Sequence, residues 1–372
     1  RQHAYHVHVP PSDRAVYVHV GPAKTGTTYL QDVLWRNRDR LREQGLLFPG
    51  RGPVAHFHAA LDLRDIKFGG HDDPRVAGAW DRLATQAREA PTAAIITHEI
   101  LAGADDDQIE RVGRDLAGRD IHVVYGARDL ARQLPAVWQE SLKNRRRRRF
   151  DAFLSTVLRP GAEDDPGPRG FWRAQDVVAT LARWSPIAHQ VHVVTLPQSG
   201  AAPDTLWRRF ATVLGLDADG FDLDVARSNA SLSAHEAELL RRLNRSLPDD
   251  LEWPQYDRIV KRRFNRAANR GSDGRRILVP TSLADEVRQR AAAIRDSLAA
   301  SDYDIVGDLD DLLPAASAFD DGPAERIKVD DAEVDALAAE VLAEANRTDA
   351  APARKARSLM SRIKTRRGAA DG

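Results

Sequence analysis

Four short apolar runs, each followed by a stretch long enough for a helix, recur through the first two-thirds of the 372 residues and leave very few folds open. The runs are AVYVHV ending at Val20, TAAIITHE ending at Glu99, IHVVYGA ending at Ala127 and QVHVVTL ending at Leu196. Runs such as AAIIT are too continuously apolar for a one-sided sheet, which suits strands covered on both faces and therefore parallel pairing. Between them the pattern predicts helices near Thr27–Glu43, Pro74–Ala90, Asp105–Leu116, Leu130–Lys143 and Phe171–Trp184. Strands separated by helical stretches predict right-handed βαβ units, so the expected class is α/β, a central parallel sheet flanked by helices.

Beyond Ala202 the pattern turns mostly helical. The run DTLWRRFATVLGLD reads as a helix closed by Gly215, and Ser233 with Glu236 forms a capping box for the next one. Leu283, Val287, Ala291, Ile294 and Leu298 make an apolar stripe at helical spacing, and YDIVGDLDDLLP after it reads as loop. Residues 302–335 hold 12 acidic and 2 basic side chains, whereas 351–370 hold 7 basic and none acidic. Such charge blocks mark a tail. The expected division is an N-terminal extension over 1–14, an α/β domain with a helical C-terminal part over 15–314, and a charged tail over 315–372. Val334, Leu337, Ala338, Val341 and Leu342 would make one amphipathic helix in that tail, which is otherwise expected to be unordered and dispensable for catalysis.

Composition narrows the function. With 55 basic and 55 acidic residues, no net charge draws nucleic acid to the whole surface, so no nucleic-acid partner is expected and any anion site must be local. The absence of cysteine removes disulfides, thiolate catalysis and Cys-based zinc sites together. No run approaches the roughly 18 apolar residues of a membrane span. The start, RQHAYHVHVPPSD, shows no basic-then-apolar secretory pattern, and the expected location is cytoplasmic.

The most informative segment is the strand Ala15–Val20 running through GPAKTGTT into an amphipathic helix. Gly21 and Gly26 permit sharp backbone turns, so successive N–H groups from Lys24 to Thr28 can face one anion placed on the helix dipole. Thr27 and Thr28 add hydroxyl donors. A tight strand-to-helix turn capped by Thr is the plainer reading, but a lysine and three threonines within five positions favour a phosphate cradle. The loop nearly fits GxxxxGK[ST], yet Thr27 stands where a nucleotide triphosphatase needs its lysine, and Lys24 precedes Gly26 by two.

Pro22-Ala23-Lys24-Thr25-Gly26-Thr27-Thr28 resembles the 5′-phosphosulfate loop, PxxxGTT after a strand, of sulfotransferases that use 3′-phosphoadenosine 5′-phosphosulfate (PAPS). The stretches FWRAQDVVATLARW, VHVVTLPQSG and LWRRFATVLGLD are similar in order and spacing to the bacterial branch of that family, so the likeness covers Val16 to Leu313 in outline. It implies a P-loop-like three-layer fold, PAPS as donor, no metal, and transfer of a sulfuryl group to a hydroxyl or amine of a small-molecule, sugar or glycolipid acceptor. It also implies an Arg after a later strand that holds the donor's 3′-phosphate, with a Ser eight residues on. Arg128 stands in the first place and Ala136 in the second, so Gln133 or Ser141 would have to supply the hydroxyl's contact. Capping of the following helix by Asp129 is the structural alternative for this segment. Asn229 and Ser231, in RSNAS, are the nearest counterpart of the family's last phosphate loop.

Sulfuryl transfer needs a base for the acceptor and a cation for the leaving phosphate. Lys24 fits the second role. His98 and Glu99 end a predicted parallel strand, where ligands collect in open α/β sheets, and His56 lies on the segment after the first helix. Glu99 is the preferred base, as a carboxylate tuned upward by burial, with His98 and His56 the alternatives. His58, Trp138, Trp172 and the run Arg145–Arg149 are expected to be packing or surface residues. A kinase with a deviant loop and a nucleotide-binding module without turnover are the competing functional readings.

Overall fold

The apolar runs become the strands of one parallel sheet. The structure is a computed structural model and describes residues 12–70, 72–162, 166–225, 231–269, 274–320 and 327–347. The chain divides into two units, the first comprising Arg1–Trp138, Phe150–Asn229 and Ile277–Pro323, the second Gln139–Arg149, Ala230–Arg276 and Ala324–Gly372. In chain order the elements begin β1 (Ala15–Gly21), α1 (Thr27–Arg36), α2 (Arg38–Glu43), β2 (Leu46–Leu47), α3 (Ala55–Leu63), α4 (Ala79–Arg88) and β3 (Ala93–Thr97). They continue α5 (Asp106–Asp115), β4 (Asp120–Ala127), α6 (Leu130–Lys143), α7 (Phe150–Val157), α8 (Pro166–Gln175), α9 (Val177–Trp184), β5 (Gln190–Thr195) and α10 (Thr205–Val213). The second unit holds α11 (Ala234–Ser246), α12 (Trp253–Tyr256) and α13 (Arg262–Asn269). The first resumes with β6 (Val279–Pro280), α14 (Ala284–Ala299), β7 (Asp304–Val306) and β8 (Phe319–Asp320).

In the first unit the sheet order is β2-β3-β1-β4-β5-β7, and every neighbouring pair is parallel. Alternation along each strand feeds two cores. Val16, Val18, Val20, Ile96, Val123 and Val193 pack with Trp80 of α4 and Trp184 of α9 on one face. Tyr17, Ile95, Val124 and Val194 pack with Leu30 of α1 and Phe210 of α10 on the other. This is the expected three-layer α/β arrangement, and it sets the carboxyl ends of β1, β3 and β4 side by side. Among the described residues no helix is long and apolar enough to cross a membrane.

The structure departs from the sequence reading at several boundaries. The helix expected over Thr27–Glu43 breaks at Asn37, whose amide donates to the Val33 carbonyl at 2.8 Å and the Asp222 carbonyl at 3.0 Å. That expected over Phe171–Trp184 is two helices, because Asp176 turns out of helical geometry and caps α9 by accepting from the Ala179 N–H. YDIVGDLDDLLP is not all loop: Asp304–Val306 pairs with His192–Val194 as the edge strand β7. Three residues are too few to show a period, and only the partner strand makes them β.

Buried polar groups tie the second unit together. Asn244 donates to the Leu142 and Arg146 carbonyls and accepts from the Tyr256 hydroxyl at 2.7 Å, while Arg145 donates to the Leu251 carbonyl. The first arginine of the Arg145–Arg149 run is therefore structural, and the other four are exposed. The expected tail helix is present over residues 331–347, with Val334, Leu337, Ala338 and Val341 each under 10% exposed. Arg242 grips the Val329 carbonyl and pairs with Asp331, and Arg263 pairs with Glu340 at 2.7 Å. Residues 327–347 are thus built into the second unit rather than an unordered tail. A truncation ending at Pro314 removes this helix and β8, and is expected to cost on the order of 5 kcal/mol from the four buried side chains alone. Melting and limited proteolysis of the truncated chain check this; a melting temperature equal to that of the full chain would refute it.

Candidate active site

The loop after β1 is held from behind by its own carbonyls. Thr25 Oγ1 donates to the Pro22 carbonyl at 2.6 Å, Gln133 Nε2 to the Ala23 carbonyl at 2.7 Å and Arg128 Nη1 to the Lys24 carbonyl at 2.9 Å. In a trans peptide the N–H points opposite to the C=O. With three successive carbonyls drawn to one side, the N–H groups of Ala23, Lys24 and Thr25 face the other. Lys24 and Gly26 both take positive φ, 72° and 80°, around Thr25, which bends these N–H groups into a concave row ending at the N-terminus of α1. For a lysine that conformation costs on the order of 1 kcal/mol, and the grips of Arg128 and Gln133 on the adjoining carbonyls hold it there. The row, the helix dipole and a half-exposed lysine in the same loop are an arrangement that suits an anion. Thr28 is half-buried at the start of the helix, and Thr27 is buried.

β3 ends against this loop. Gly21 has φ 92°, and a Cβ placed on it would lie 2.6 Å from the Glu99 Cα, so only glycine lets the two strand ends approach this closely. Glu99 opens a 3-10 turn, Glu99–Gly103, and its side chain is 26% exposed. Gln31 Nε2 of α1 donates to Glu99 Oε2 at 3.3 Å, and the Thr27 hydroxyl donates to the same carboxylate. Burial pushes the Glu99 carboxyl up, but the His98 ring, a backbone N–H and the Gln31 and Thr27 donors outweigh it and hold the group below its ordinary value. The direction is opposite to the upward tuning expected from sequence. Glu99 is an ionised acceptor beside the anion loop.

The two histidines are differently placed. The Ile100 N–H donates to His98 Nδ1 at 3.2 Å, which leaves the ring proton on Nε2, and burial lowers its pKa. His98 therefore has its basic nitrogen already engaged. His56 is 4% exposed: its Nε2 donates to the Pro49 carbonyl at 2.9 Å, and its Nδ1 accepts from the Thr97 N–H at 3.2 Å. Both nitrogens are used on backbone, and burial pushes its pKa down to about 3. His56 ties α3 to the end of β3 and has no nitrogen left for an acceptor's proton. His58 packs beside Asp73 at 3.6 Å, and Trp138 and Trp172 are core.

Of the remaining predicted residues, Arg128 is half-buried at the end of β4, next to the loop it grips. Asp129 accepts from the Arg132 backbone N–H at 2.9 Å and pairs with its side chain, so the capping alternative for this segment is also realised. Ala136 is half-buried within α6 and brings no polar side-chain atom. Asn229 lies outside the described residues, and Ser231 is exposed in the second unit. Gln31 was not singled out from sequence; its place on the first turn and a half of the helix after the loop is the signal that reveals it. Family models, curated proteins and solved structures were all compared with the chain, and none matches it.

Proposed function

We propose that the chain is a sulfotransferase that takes its sulfuryl group from PAPS. The observation that carries this reading is the row of outward N–H groups from Ala23 to Thr25, made by three captured carbonyls, with Lys24 in the row and an ionised carboxylate at its flank. When bound, PAPS supplies a sulfur whose bond to the bridging phosphate oxygen breaks as the acceptor's oxygen or nitrogen bonds to it, the electron pair passing to that phosphate. The chain's own tasks are then three. The N–H row and the α1 dipole hold the 5′-phosphate, Lys24 stabilises the charge that grows on it, and Glu99 takes the acceptor's proton. Arg128, with one arm on the loop, is the residue to meet the 3′-phosphate. The acceptor is a small molecule, sugar or glycolipid carrying a free hydroxyl or amine.

The test is ligand-dependent melting. Adenosine 3′,5′-bisphosphate without magnesium is expected to raise the melting temperature, since a ligand that binds only the native state stabilises it by mass action. Stabilisation by ATP with magnesium alone would replace this reading with a kinase, and binding of the bisphosphate without any turnover of labelled PAPS would leave a nucleotide-binding module.

Glu99→Gln keeps the shape and the contact with Gln31 but removes basicity, so it should lower turnover about 100-fold with donor affinity unchanged. Because the folded-state pKa of Glu99 is depressed, the base is lost only as pH falls through a value below 4.5, and turnover should hold level from neutrality to pH 5. A pH-rate profile with its acid limb above pH 5 would instead point to a base other than Glu99. His98→Asn should do less harm than Glu99→Gln in the same assay.

A further inference from the structure

Behind the anion loop two glutamine amides form a chain leading away from it. Gln133 is 4% exposed, and its Nε2 donates both to the Ala23 carbonyl at 2.7 Å and to Gln175 Oε1 at 2.6 Å. A carbonyl only accepts, so Ala23 decides which way the Gln133 amide faces, and Gln175 must then present its oxygen. The same orientation strands Gln133 Oε1, which is buried without a hydrogen-bond partner among the described residues. An unmet buried acceptor costs about 1–3 kcal/mol. A residue serving only to fill this space would do better as methionine or leucine, so what offsets the cost is the double grip of Nε2.

Gln175 is the last residue of α8. Two residues earlier in the same helix, Arg173 donates to the Gly103 carbonyl at 3.0 Å and to the Ala104 carbonyl at 3.3 Å. These carbonyls close the turn that Glu99 opens. The rest of that turn is held in the same manner, with Arg64 on Ile100 and Arg183 on Ala102, each at 3.0 Å. One short helix therefore reaches the anion loop through Gln175 and Gln133, and the carboxylate turn through Arg173. Neither contact involves an atom placed to meet a substrate.

We propose that α8 is a brace that sets the anion loop against the Glu99 turn, with Gln133 and Gln175 as positioning residues for the loop and Arg173 as the positioning residue for the turn. Capture of the Ala23 carbonyl fixes the plane of the Ala23–Lys24 peptide and so aims the Lys24 N–H. Loss of the grip frees that peptide to rotate while the surrounding core stays packed. The catalytic part of this proposal rests on the sulfotransferase reading; the bracing itself does not.

The experiment is amide hydrogen exchange on the ligand-free full chain, comparing wild type with Gln133→Met, Gln175→Met, the double variant and Arg173→Met. Methionine keeps the length of glutamine without either polar atom. For Gln133→Met the expected result is exchange over residues 23–28 faster by about tenfold with a melting temperature unchanged or raised, because the stranded oxygen is gone. A role in packing alone would lower the melting temperature instead. Gln175, half-exposed, should give the smaller loop effect, and the double variant should add little to Gln133→Met, since the two act in series. Arg173→Met should speed exchange over residues 100–104 and leave the loop alone. If Gln133→Met and Gln175→Met both leave loop exchange at the wild-type rate, or if their effects add, the brace is refuted.

Turnover then separates this proposal from the functional one. Under both, the glutamine variants raise the KM for PAPS several-fold with kcat kept, whereas Arg173→Met lowers kcat with KM kept. Loop exchange that changes as described in a protein that does not bind adenosine 3′,5′-bisphosphate would sustain the brace and overturn the sulfotransferase reading.

Discussion

If the chain is the sulfotransferase proposed above, Lys24→Ala is expected to lower sulfuryl transfer by about 100- to 1,000-fold, the size of effect seen when a donor aimed at developing charge is removed, while the protein melts as wild type does. The reasoning begins with where the lysine stands. Its backbone is part of the N–H row, and its side chain leaves the loop half-exposed, so truncation opens no cavity in either core. Alanine also keeps the peptide groups that hold a ground-state phosphate, and donor affinity should change far less than turnover. The charge on the leaving phosphate grows between the ground state and the transition state, and an interaction that strengthens with it acts on kcat. Steady-state kinetics with labelled PAPS, set beside binding of adenosine 3′,5′-bisphosphate, measure the two effects separately. A variant with turnover near wild type would remove Lys24 from the mechanism.

Mild acid should destabilise the fold through two buried histidines. His19 is 1% exposed, with Nδ1 2.8 Å from the Thr97 hydroxyl, and burial pushes its pKa down to about 4. His56 is pushed down to about 3. In the unfolded chain both titrate near 6.5. Between these values the unfolded state binds more protons than the folded one, so stability is complete above pH 6.5 and drains away as pH falls. At pH 5 each histidine accounts for roughly 2 kcal/mol. Together they should lower the melting temperature by about 5 °C relative to pH 7.5. His56→Gln retains a donor and an acceptor without the titration, and combined with His19→Asn it should reduce the pH dependence to the share left with His122, which burial and the His192 ring push down to about 4. If melts of that double variant fall as steeply as wild type between pH 7.5 and 5, other groups carry the acid sensitivity.

The parts of this protein that could be read from sequence are those whose requirements are local. GPAKTGTT declares itself because the sharp turns, the donors and the lysine all fall within one contiguous string, and the strand feeding it is largely apolar on both faces. Arg128 was reached through the resemblance, which implies an arginine after a later strand, and the structure sets it against the loop. What stayed hidden depends on partners far along the chain. Whether a histidine is a base or a staple turns on which atoms meet its two nitrogens; for His56 these belong to Pro49 and Thr97. The sign of the Glu99 shift depends on the His98 ring, a backbone N–H and the hydroxyl and amide donors from α1, and burial alone gives the wrong direction. Gln133 was a candidate for a phosphate contact, and the structure turns its amide onto the loop instead. β7 is a strand only because β5 leaves an edge to pair with.

The three captured carbonyls also bear on the tempo of binding. A loop that must order itself around a phosphate loses chain entropy in the binding step, and its association slows to the rate at which the loop finds its shape. Here Thr25, Gln133 and Arg128 have already drawn the backbone into place, so that loss is met during folding. The nucleotide of the proposed function would meet a finished mould, and its on-rate should be set by diffusion and orientation rather than by rearrangement of the protein. Differences in affinity among nucleotides that share the 5′-phosphate should then lie almost wholly in how quickly each one leaves.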